Sequence, residues 1–286
     1  MDSNDSSPVV RAGKQRISAL YSRVAPVHEE QGPPRFAHAG RRLVQLTEVA
    51  PGERVLDLAT GRGAVLFPAA ERVGPTGRVV GIDLAEGMVA QTEAAIAHRE
   101  FQHASVQVMD ADSLTFAADE FDRVLCSFAV FFFPDVPRVL AEIRRVLAPG
   151  GTVGFAFSRG HDERWRWYED LLRECGALDR LPPSPGSGAI RQDGALVAEL
   201  TTAGFAACQE VVEQTDLLVA DESTWWTSLW THGSRAPLDH MDATTLARFK
   251  AACLEQARSM MEPAGLRERH TFVYVLAHKP NDGCSQ

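Results

Sequence analysis

A short glycine-containing turn and an acid that follows it are the residues of this 286-residue chain best suited to chemistry. The turn ends the segment 55–63, which reads VLDLATGRG, and the acid is Asp83, the last residue of a GID tripeptide. The pattern predicts a buried strand, a tight turn, a helix and a second strand that ends in a carboxylate. Backbone N–H groups at such a turn, together with one acid, suit a ligand that carries a nucleoside.

Two ligand classes fit this layout, a dinucleotide and S-adenosylmethionine, and the spacing of the small residues favours the second. A dinucleotide turn has the pattern G-x-G-x-x-G, whereas Ala59, Gly61 and Gly63 are spaced by two and Leu66 stands in place of the third glycine. Asp57 precedes the turn, where it can hold the turn and place negative charge near a cationic ligand. A sulfonium is such a cation, and a pyrophosphate is not.

Strands and helices alternate around these residues. The strand segments are almost continuously apolar, which predicts an α/β doubly wound sheet covered by helices on both faces. We expect strands at 54–58, 78–83, 105–109, 122–127, 151–158, 207–218 and 267–278. We expect the main helices at 13–24, 63–73, 86–99, 135–147, 162–177 and 193–203.

The same pattern divides the chain into four parts. Residues 1–12 are polar and predict a disordered tail, residues 13–51 predict N-terminal helices, and residues 52–158 predict the core. After residue 158 strands and helices no longer alternate regularly, and the pattern of residues 159–286 predicts the rest of the core with helical insertions. These insertions carry all five tryptophans and suit a substrate lid.

Composition narrows the function. The net charge of −9 argues against a nucleic-acid partner. Five scattered cysteines without a C-x-x-C pair are typical of reduced thiols in a cytoplasmic protein. No signal peptide is visible and no apolar run reaches the roughly 18 residues of a membrane span, so we expect no membrane partner. The residues leave a monomer and a homo-oligomer equally open.

Four segments, taken in order, resemble the class I S-adenosylmethionine-dependent methyltransferases, in the branch of ubiquinone and menaquinone C-methyltransferases and bacterial natural-product enzymes. The segments are 55–63, 81–88 (GIDLAEGM), 110–116 (DADSLTF) and 121–135 with 141–151. The resemblance implies a Rossmann-like, mostly parallel sheet with an antiparallel last strand. It also implies S-adenosyl-L-methionine as cofactor, S-adenosyl-L-homocysteine as product, and N-terminal helices that cover the cofactor.

The resemblance further implies roles for residues at the strand ends. Asp83 would accept hydrogen bonds from both ribose hydroxyls. Leu84 and Met88 would sandwich the adenine, and Asp110 with the Ala111 N–H would read its amino edge. The candidate cofactor residues are Tyr21, Asp57, Ala59, Thr60, Gly61, Gly63, Asp83, Leu84, Met88, Asp110, Ala111, Ser127 and Phe128.

Catalytic candidates are few, because methyl transfer from a sulfonium depends mainly on alignment. Tyr21 would contact the methionine end or the acceptor, unless it only packs its helix against the core. If the acceptor must lose a proton, His161 is the first candidate base. Further candidates for a base are His232, His28 and Asp135. Because Cys126 and Ser127 stand where catechol-type O-methyltransferases hold magnesium, no metal is expected.

Aromatic residues predict an apolar acceptor. Phe128 and the run 131–133 follow the fourth strand, where they would pack helix to sheet or stabilise a carbocation with their ring faces. The tryptophans of the insertions suit an aromatic pocket, although packing of the lid helices is the simpler interpretation of any one of them. The candidate substrate residues are Phe132, Phe133, Trp225, Trp226 and His232.

We therefore expect a methyltransferase that acts on an apolar small molecule in specialised metabolism. The chain also resembles actinomycete terpenoid C-methyltransferases, such as teleocidin-pathway prenyl-indole enzymes, which favours C-methylation of a prenyl chain with or without ring closure. Two alternatives stay open. One is an O- or N-methyltransferase that uses a base, and the other is a cyclase that keeps S-adenosylmethionine as a structural cofactor.

Overall fold

One sheet organises the chain. The structure, a computed structural model, describes residues 7–28, 30, 32–160, 162–181, 186 and 188–281. The strands within these ranges are β1 (Arg54–Leu58), β2 (Arg78–Asp83), β3 (Ala104–Val108), β4 (Phe121–Ser127), β5 (Leu147–Ser158), β6 (Ala206–Val219) and β7 (Leu266–His278). Their order in the sheet is β3-β2-β1-β4-β5-β7-β6.

Parallel pairing brings the functional turn and the strand ends to one edge of this sheet. β1 lies between β2 and β4, with Asp57 level with Gly81 on one side and with Leu125 on the other. The carboxyl ends of these three strands therefore meet, where ligands of such sheets bind. β7 runs antiparallel between β5 and β6. The mostly parallel, Rossmann-like fold with an antiparallel last strand is confirmed.

Helices cover both faces of the sheet and form the insertions. They are α1 (Pro8–Val24), α2 (Arg35–Leu46), α3 (Leu66–Val73), α4 (Glu86–His98), α5 (Val136–Val146), α6 (Arg166–Glu174), α7 (Ala195–Thr202), α8 (Glu222–Ser228), α9 (Arg235–Asp239) and α10 (Ala243–Ser259). Within the described ranges, none of the helices is both long enough and apolar enough to cross a membrane.

The first helix begins earlier than the sequence pattern predicted. α1 starts at Pro8, so the prediction of a disordered tail over 1–12 is wrong for residues 8–12, while residues 1–6 lie outside the described ranges. Ser7 caps the helix, because its Oγ accepts a hydrogen bond from the Val10 N–H at 3.3 Å. Pro8 suits the first helical position, where no N–H partner is needed.

The insertions have an apolar core of their own. Helices α6 and α8–α10, which we call the lid, enclose a cluster that includes all five tryptophans. Trp225 and Trp226 are only 3% and 7% exposed within this cluster. The tryptophans therefore hold the lid helices to one another.

Candidate active site

The turn after β1 carries three residues with left-handed backbone angles. The angle φ is +53° at Ala59, +54° at Gly61 and +82° at Gly63. Glycine adopts such angles freely, whereas alanine does so under strain. The Thr60 N–H donates a hydrogen bond to the Ile82 carbonyl oxygen at 2.9 Å. This bond ties the turn to β2.

Asp57 is buried beneath the turn and holds it. Its Oδ2 accepts a hydrogen bond from Thr60 Oγ1 at 2.6 Å, and the Leu66 N–H donates to the same carboxyl group. Burial raises the pKa of Asp57 to about 7 in spite of these hydrogen bonds. Without a cation nearby, the carboxyl is only partly ionised at neutral pH. The negative charge that the sequence predicts at Asp57 is therefore fully developed only when a cationic ligand is bound.

Asp83 ends β2 with both carboxylate oxygens held by backbone donors. Oδ2 accepts from the Gly61 N–H and Oδ1 from the Ala85 N–H, each at 2.8 Å. Burial raises the pKa of Asp83, and these hydrogen bonds oppose that rise. Each oxygen keeps a further lone pair. The carboxylate is thus oriented and can still accept two hydroxyl donors from a ligand.

Helix α1 lies over the carboxyl ends of the strands. Lys14, Ile17 and Tyr21, which are three and four residues apart and so share one helix face, line the cavity beneath it. Ser18 Oγ donates a hydrogen bond to the Leu84 carbonyl oxygen at 2.9 Å. The helix is therefore attached to the loop that follows Asp83.

A cavity of about 370 Å³ lies between α1 and the strand ends. All the residues predicted to bind the cofactor line this one cavity, and so do the predicted substrate residues Phe132 and Phe133. Lys14 and Phe36 also line it, and sequence reasoning missed both. Neither residue belongs to a motif, because the folding of the N-terminal segment over the sheet brings them in.

The cavity residues fit S-adenosylmethionine. Asp83 offers an oriented carboxylate for a ribose, and the buried Met88 with Leu84 offers apolar surface for a purine. The Ser127 Oγ is buried and has no hydrogen-bond partner within the described chain. A buried polar atom of this kind is normally paired. A ligand bound in the cavity would supply the missing hydrogen-bond partner of Ser127.

Aromatic rings build the far end of the cavity. Phe36 and Phe128 meet edge to face with ring centroids 4.9 Å apart, and Tyr21 meets Phe132 in the same way at 5.8 Å. Phe128 has φ of +59°, a strained angle for a bulky residue. Such strain concentrates at binding sites, where the surrounding structure holds a residue in place.

Two imidazoles accompany these rings. His28 lines the cavity and stacks on Phe36 at 5.0 Å, and its Nδ1 is buried without a partner among the described residues. Burial and the charge of Arg62 lower the pKa of His28 to about 4. His232 meets Phe36 edge to face at 6.2 Å, but it is not among the residues that line the cavity. Burial, followed by the charge of Arg35, lowers its pKa as well.

Tyr21 lies where α1 meets the lid. A Cβ added at Gly233 would stand 3.2 Å from the Tyr21 hydroxyl oxygen. Burial, followed by the negative charge of Asp83, raises the pKa of Tyr21 above its ordinary value. The phenol is therefore a neutral hydroxyl group in the cavity at physiological pH.

Other predicted site residues lie elsewhere. Trp225 and Trp226, predicted to contact substrate, are in the core of the lid and do not line the cavity. Asp135 caps α5, where its Oδ1 accepts from the Arg138 N–H at 3.0 Å, so it has a structural partner. His161 lies outside the described residues. Within the described ranges, no three His, Cys, Asp or Glu residues group as a metal site.

Comparison with known proteins agrees with this geometry. A family model described as a methyltransferase domain matches residues 55–151. Nocamycin O-methyltransferase of Saccharothrix syringae is 36% identical over 270 residues, 90% of this chain and 96% of that protein. Aklanonic acid methyltransferase DauC of Streptomyces sp. (strain C5) is 40% identical over 142 residues, 50% of this chain and 64% of that protein. The solved structure of the 4+2 cyclase SpnF has a TM-score of 0.57 at 17% identity, over 96% of this chain and 98% of that one, which shows a shared fold alone.

Proposed function

Because the chain belongs to the class I S-adenosylmethionine-dependent methyltransferases of natural-product type, we propose that it methylates an acidic oxygen on a largely apolar small molecule. The acceptor is of the carboxylic or enolic type. Its apolar body rests against the aromatic rings of the cavity, and its acidic group meets His28.

The unpartnered Nδ1 of His28 is the observation that carries this proposal. It is the buried nitrogen of a cavity-lining imidazole, and the neighbouring ring surfaces are those of Phe36 and Tyr21, 5.0 and 6.2 Å away. An acidic oxygen that enters this end would supply the hydrogen-bond partner that this nitrogen lacks among the described residues.

The pKa of His28 limits which acceptors it can serve. With a pKa of about 4, the imidazole is neutral at physiological pH but is a weak base. A phenol has a pKa of about 10, so its proton would move about six units uphill. A carboxylic acid has a pKa of about 4, so it is already ionised at neutral pH and needs no base. A site with so weak a base therefore favours an acidic oxygen.

The residues of the site then share the work as follows. When bound, S-adenosylmethionine supplies an electrophilic methyl group on a sulfonium centre. Asp83 and the turn after β1 hold the nucleoside end, while the aromatic rings exclude water and orient the acceptor. His28, neutral and with its proton on Nδ1, donates a hydrogen bond to the ionised oxygen and orients it towards the methyl group, so no proton has to be transferred.

The names of two relatives support an oxygen acceptor. The relative that matches almost the whole chain is an O-methyltransferase, and the second acts on an acid. Both belong to natural-product chemistry.

C-methylation of a prenyl chain is the second candidate, and the aromatic end of the cavity favours it. Ring faces of Tyr21, Phe36, Phe128 and Phe132 could stabilise a carbocation by about 0.5–2 kcal/mol each. Ring closure after such a step would also suit these rings. A prenyl chain carries no ionised oxygen for His28 to bind, so C-methylation gives His28 no task.

Methyl-labelled S-adenosylmethionine distinguishes the two candidates. We would offer an aromatic carboxylic acid, the corresponding primary alcohol and a prenylated indole of similar size, and locate the label by mass spectrometry. If the proposal is right, the label appears on the acid oxygen, and the alcohol is turned over at least about tenfold more slowly than the acid. Label on carbon of the prenylated indole, with the acid inert, would replace it by the second candidate.

Variants of His28 test the same proposal through its mechanism. His28→Leu removes the donor to the ionised oxygen, and we expect kcat/KM for the acid to fall about 10- to 100-fold. His28→Asn keeps a side-chain N–H near the position of Nδ1 and should recover part of that loss. At saturating S-adenosylmethionine, where the pH dependence of cofactor affinity does not enter, the pH–rate profile of the native enzyme should be flat from about pH 6 to 9, because His28 is neutral and the acid is ionised there. A rise centred near pH 7 under these conditions would show that another group must lose a proton.

A further inference from the structure

Lys14 joins α1 to the loop that follows β3. Its ammonium group donates to Asp110 Oδ2 at 2.6 Å and to Asp112 Oδ2 as well. The side chains of Lys14 and Asp112 are each 14% exposed, and that of Asp110 is 33% exposed. Solvent and salt therefore screen this pair of contacts less than they screen an ordinary surface ion pair.

The rest of the N-terminal segment is attached to the first turn of α4 and to the turn after β1. Ser22 Oγ accepts from the Gly87 N–H at 3.2 Å, and a Cβ at Gly87 would lie 2.6 Å from the Ser22 carbonyl oxygen. Directly after α1, the Ala25 carbonyl oxygen accepts from Arg62 Nη1 at 2.5 Å. Of these three contacts, that of Lys14 lies nearest the start of the helix, and it is an ion pair.

We propose that Lys14 is a positioning residue that fastens α1 over the cofactor cavity and holds Asp110 in place for the purine edge. The cavity lies beneath the face of α1 that carries Lys14, so the bound cofactor leaves when this face lifts. Lifting separates Lys14 from Asp110 and Asp112. The ion pairs thereby set the residence time of the cofactor.

The charge state of Lys14 suits this role. Burial alone would lower its pKa, but the hydrogen bonds to Asp110 and Asp112 and their negative charges raise it overall. The ammonium group stays charged throughout the neutral range. The two carboxylates are thus held by a permanent cation.

Dissociation of S-adenosylhomocysteine measures this effect without any turnover. Lys14→Met should raise the dissociation rate about tenfold and speed amide hydrogen exchange over residues 8–24. The matched control is Arg23→Met on the same helix, whose ion pair with Asp239 is solvent-exposed and leads to the lid. This control should change the rate less than twofold. Equal rates in the native protein and Lys14→Met would overturn the proposal.

A charge exchange covers the case in which Lys14→Met folds poorly. Lys14→Glu should release the cofactor faster, and adding Asp112→Lys should bring the rate back towards the native one. Raising the salt concentration should speed release from the native protein and leave Lys14→Met unchanged. A double variant as fast as Lys14→Glu alone would also overturn the proposal. All these readouts are binding rates, so they stand apart from the choice of acceptor.

Discussion

The two ends of the cavity treat their polar groups differently. At the cofactor end, Asp57 is buried and Asp83 is half-buried, and Asp57 Oδ2 and both Asp83 carboxylate oxygens accept hydrogen bonds from the turn or a neighbouring loop. Towards the acceptor end, Ser127 Oγ and His28 Nδ1 are buried and unmatched within the described residues. At the cofactor end the protein itself supplies hydrogen-bond donors to the two acids. At the acceptor end the missing partners come from the molecule that binds there.

The difference follows from the kind of structure that builds each end. Backbone N–H groups of turns build the cofactor end, and their positions are fixed by the register of parallel strands. Side chains from α1, α2 and the strand-end segment build the acceptor end. Such side chains can change between related enzymes while the sheet stays the same, which is how one fold serves many acceptors.

Asp83→Ala should give the largest effect at the cofactor end. It removes a charged acceptor from two backbone donors and from the ribose, at about 1.5–3 kcal/mol for each hydrogen bond. We expect the affinity for S-adenosylhomocysteine to fall about 10²- to 10³-fold by calorimetry. Asp122→Ala is the control, since Asp122 binds Arg54 at the other end of the strands. If Asp83→Ala bound S-adenosylhomocysteine within fivefold of the native affinity, the contrast drawn between the two ends of the cavity would be wrong.

The pKa of Asp57 gives the cofactor end a pH dependence. Its pKa in the folded protein is about 7, against 3.8 for the ordinary carboxyl. The folded state therefore keeps this proton to higher pH than the unfolded state does. The contribution of Asp57 to the free energy of unfolding is fully present below about pH 4 and is lost as the pH rises through about 7.

Binding of a cation should lower this pKa and release a proton. If the pKa falls by about one unit, the affinity for S-adenosylmethionine should tighten up to about tenfold between pH 6 and 8. Calorimetry in two buffers with different ionisation enthalpies would count the released proton. S-adenosylhomocysteine lacks the sulfonium charge and should release less. Asp57→Asn should remove the difference, and an unchanged difference would place the titrating group elsewhere.

Two substitutions that each remove one hydroxyl group compare the two ends of the cavity directly. Thr60→Val leaves the buried Asp57 without its side-chain donor, and we expect the free energy of unfolding to fall by about 1–2 kcal/mol. Ser127→Ala removes an unmatched hydroxyl and should change it by less than about 0.5 kcal/mol. Urea unfolding without ligand measures both. Equal losses would mean that Ser127 has a partner after all.

Among the substitutions at the cofactor end, Ala59→Gly should have the smallest effect. The left-handed angle of +53° costs alanine about 1 kcal/mol, and the greater freedom of glycine in the unfolded chain offsets part of that gain. We expect the free energy of unfolding to rise by less than about 1 kcal/mol, with cofactor affinity unchanged. A weaker affinity in the same titration would show that the methyl group of Ala59 contacts the ligand.

Sequence could predict the sheet and the cofactor end because both depend on local patterns. The apolar runs, the small residues of the turn and the acid at the end of β2 are set by neighbouring positions, and the predicted cofactor residues all line one cavity. The start of α1 was also readable, since Ser7-Pro8 is a capping pair. We missed it because the polar composition of the tail outweighed that signal.

The acceptor end could not be predicted in this way. Phe36 and His28 reach the cavity through the path of the N-terminal segment, which no periodicity encodes. Sequence alone predicts Trp225 and Trp226 as substrate residues, but they lie in the core of the lid. An aromatic stripe on a helix has the same spacing whether it faces a ligand or another helix. Lys14 carries no motif, and its importance depends on Asp110 and Asp112 far along the chain.

The place of β7 in the sheet has a consequence for how the enzyme comes into being. β7 is the last of these strands to leave the ribosome, yet it separates β5 from β6, and β6 pairs with no other described strand. Helices α8–α10 are inserted between β6 and β7, so they are anchored at both ends only after β7 has entered the sheet. A growing chain would thus possess a nucleoside-binding turn well before it possesses a closed chamber for the molecule to be methylated.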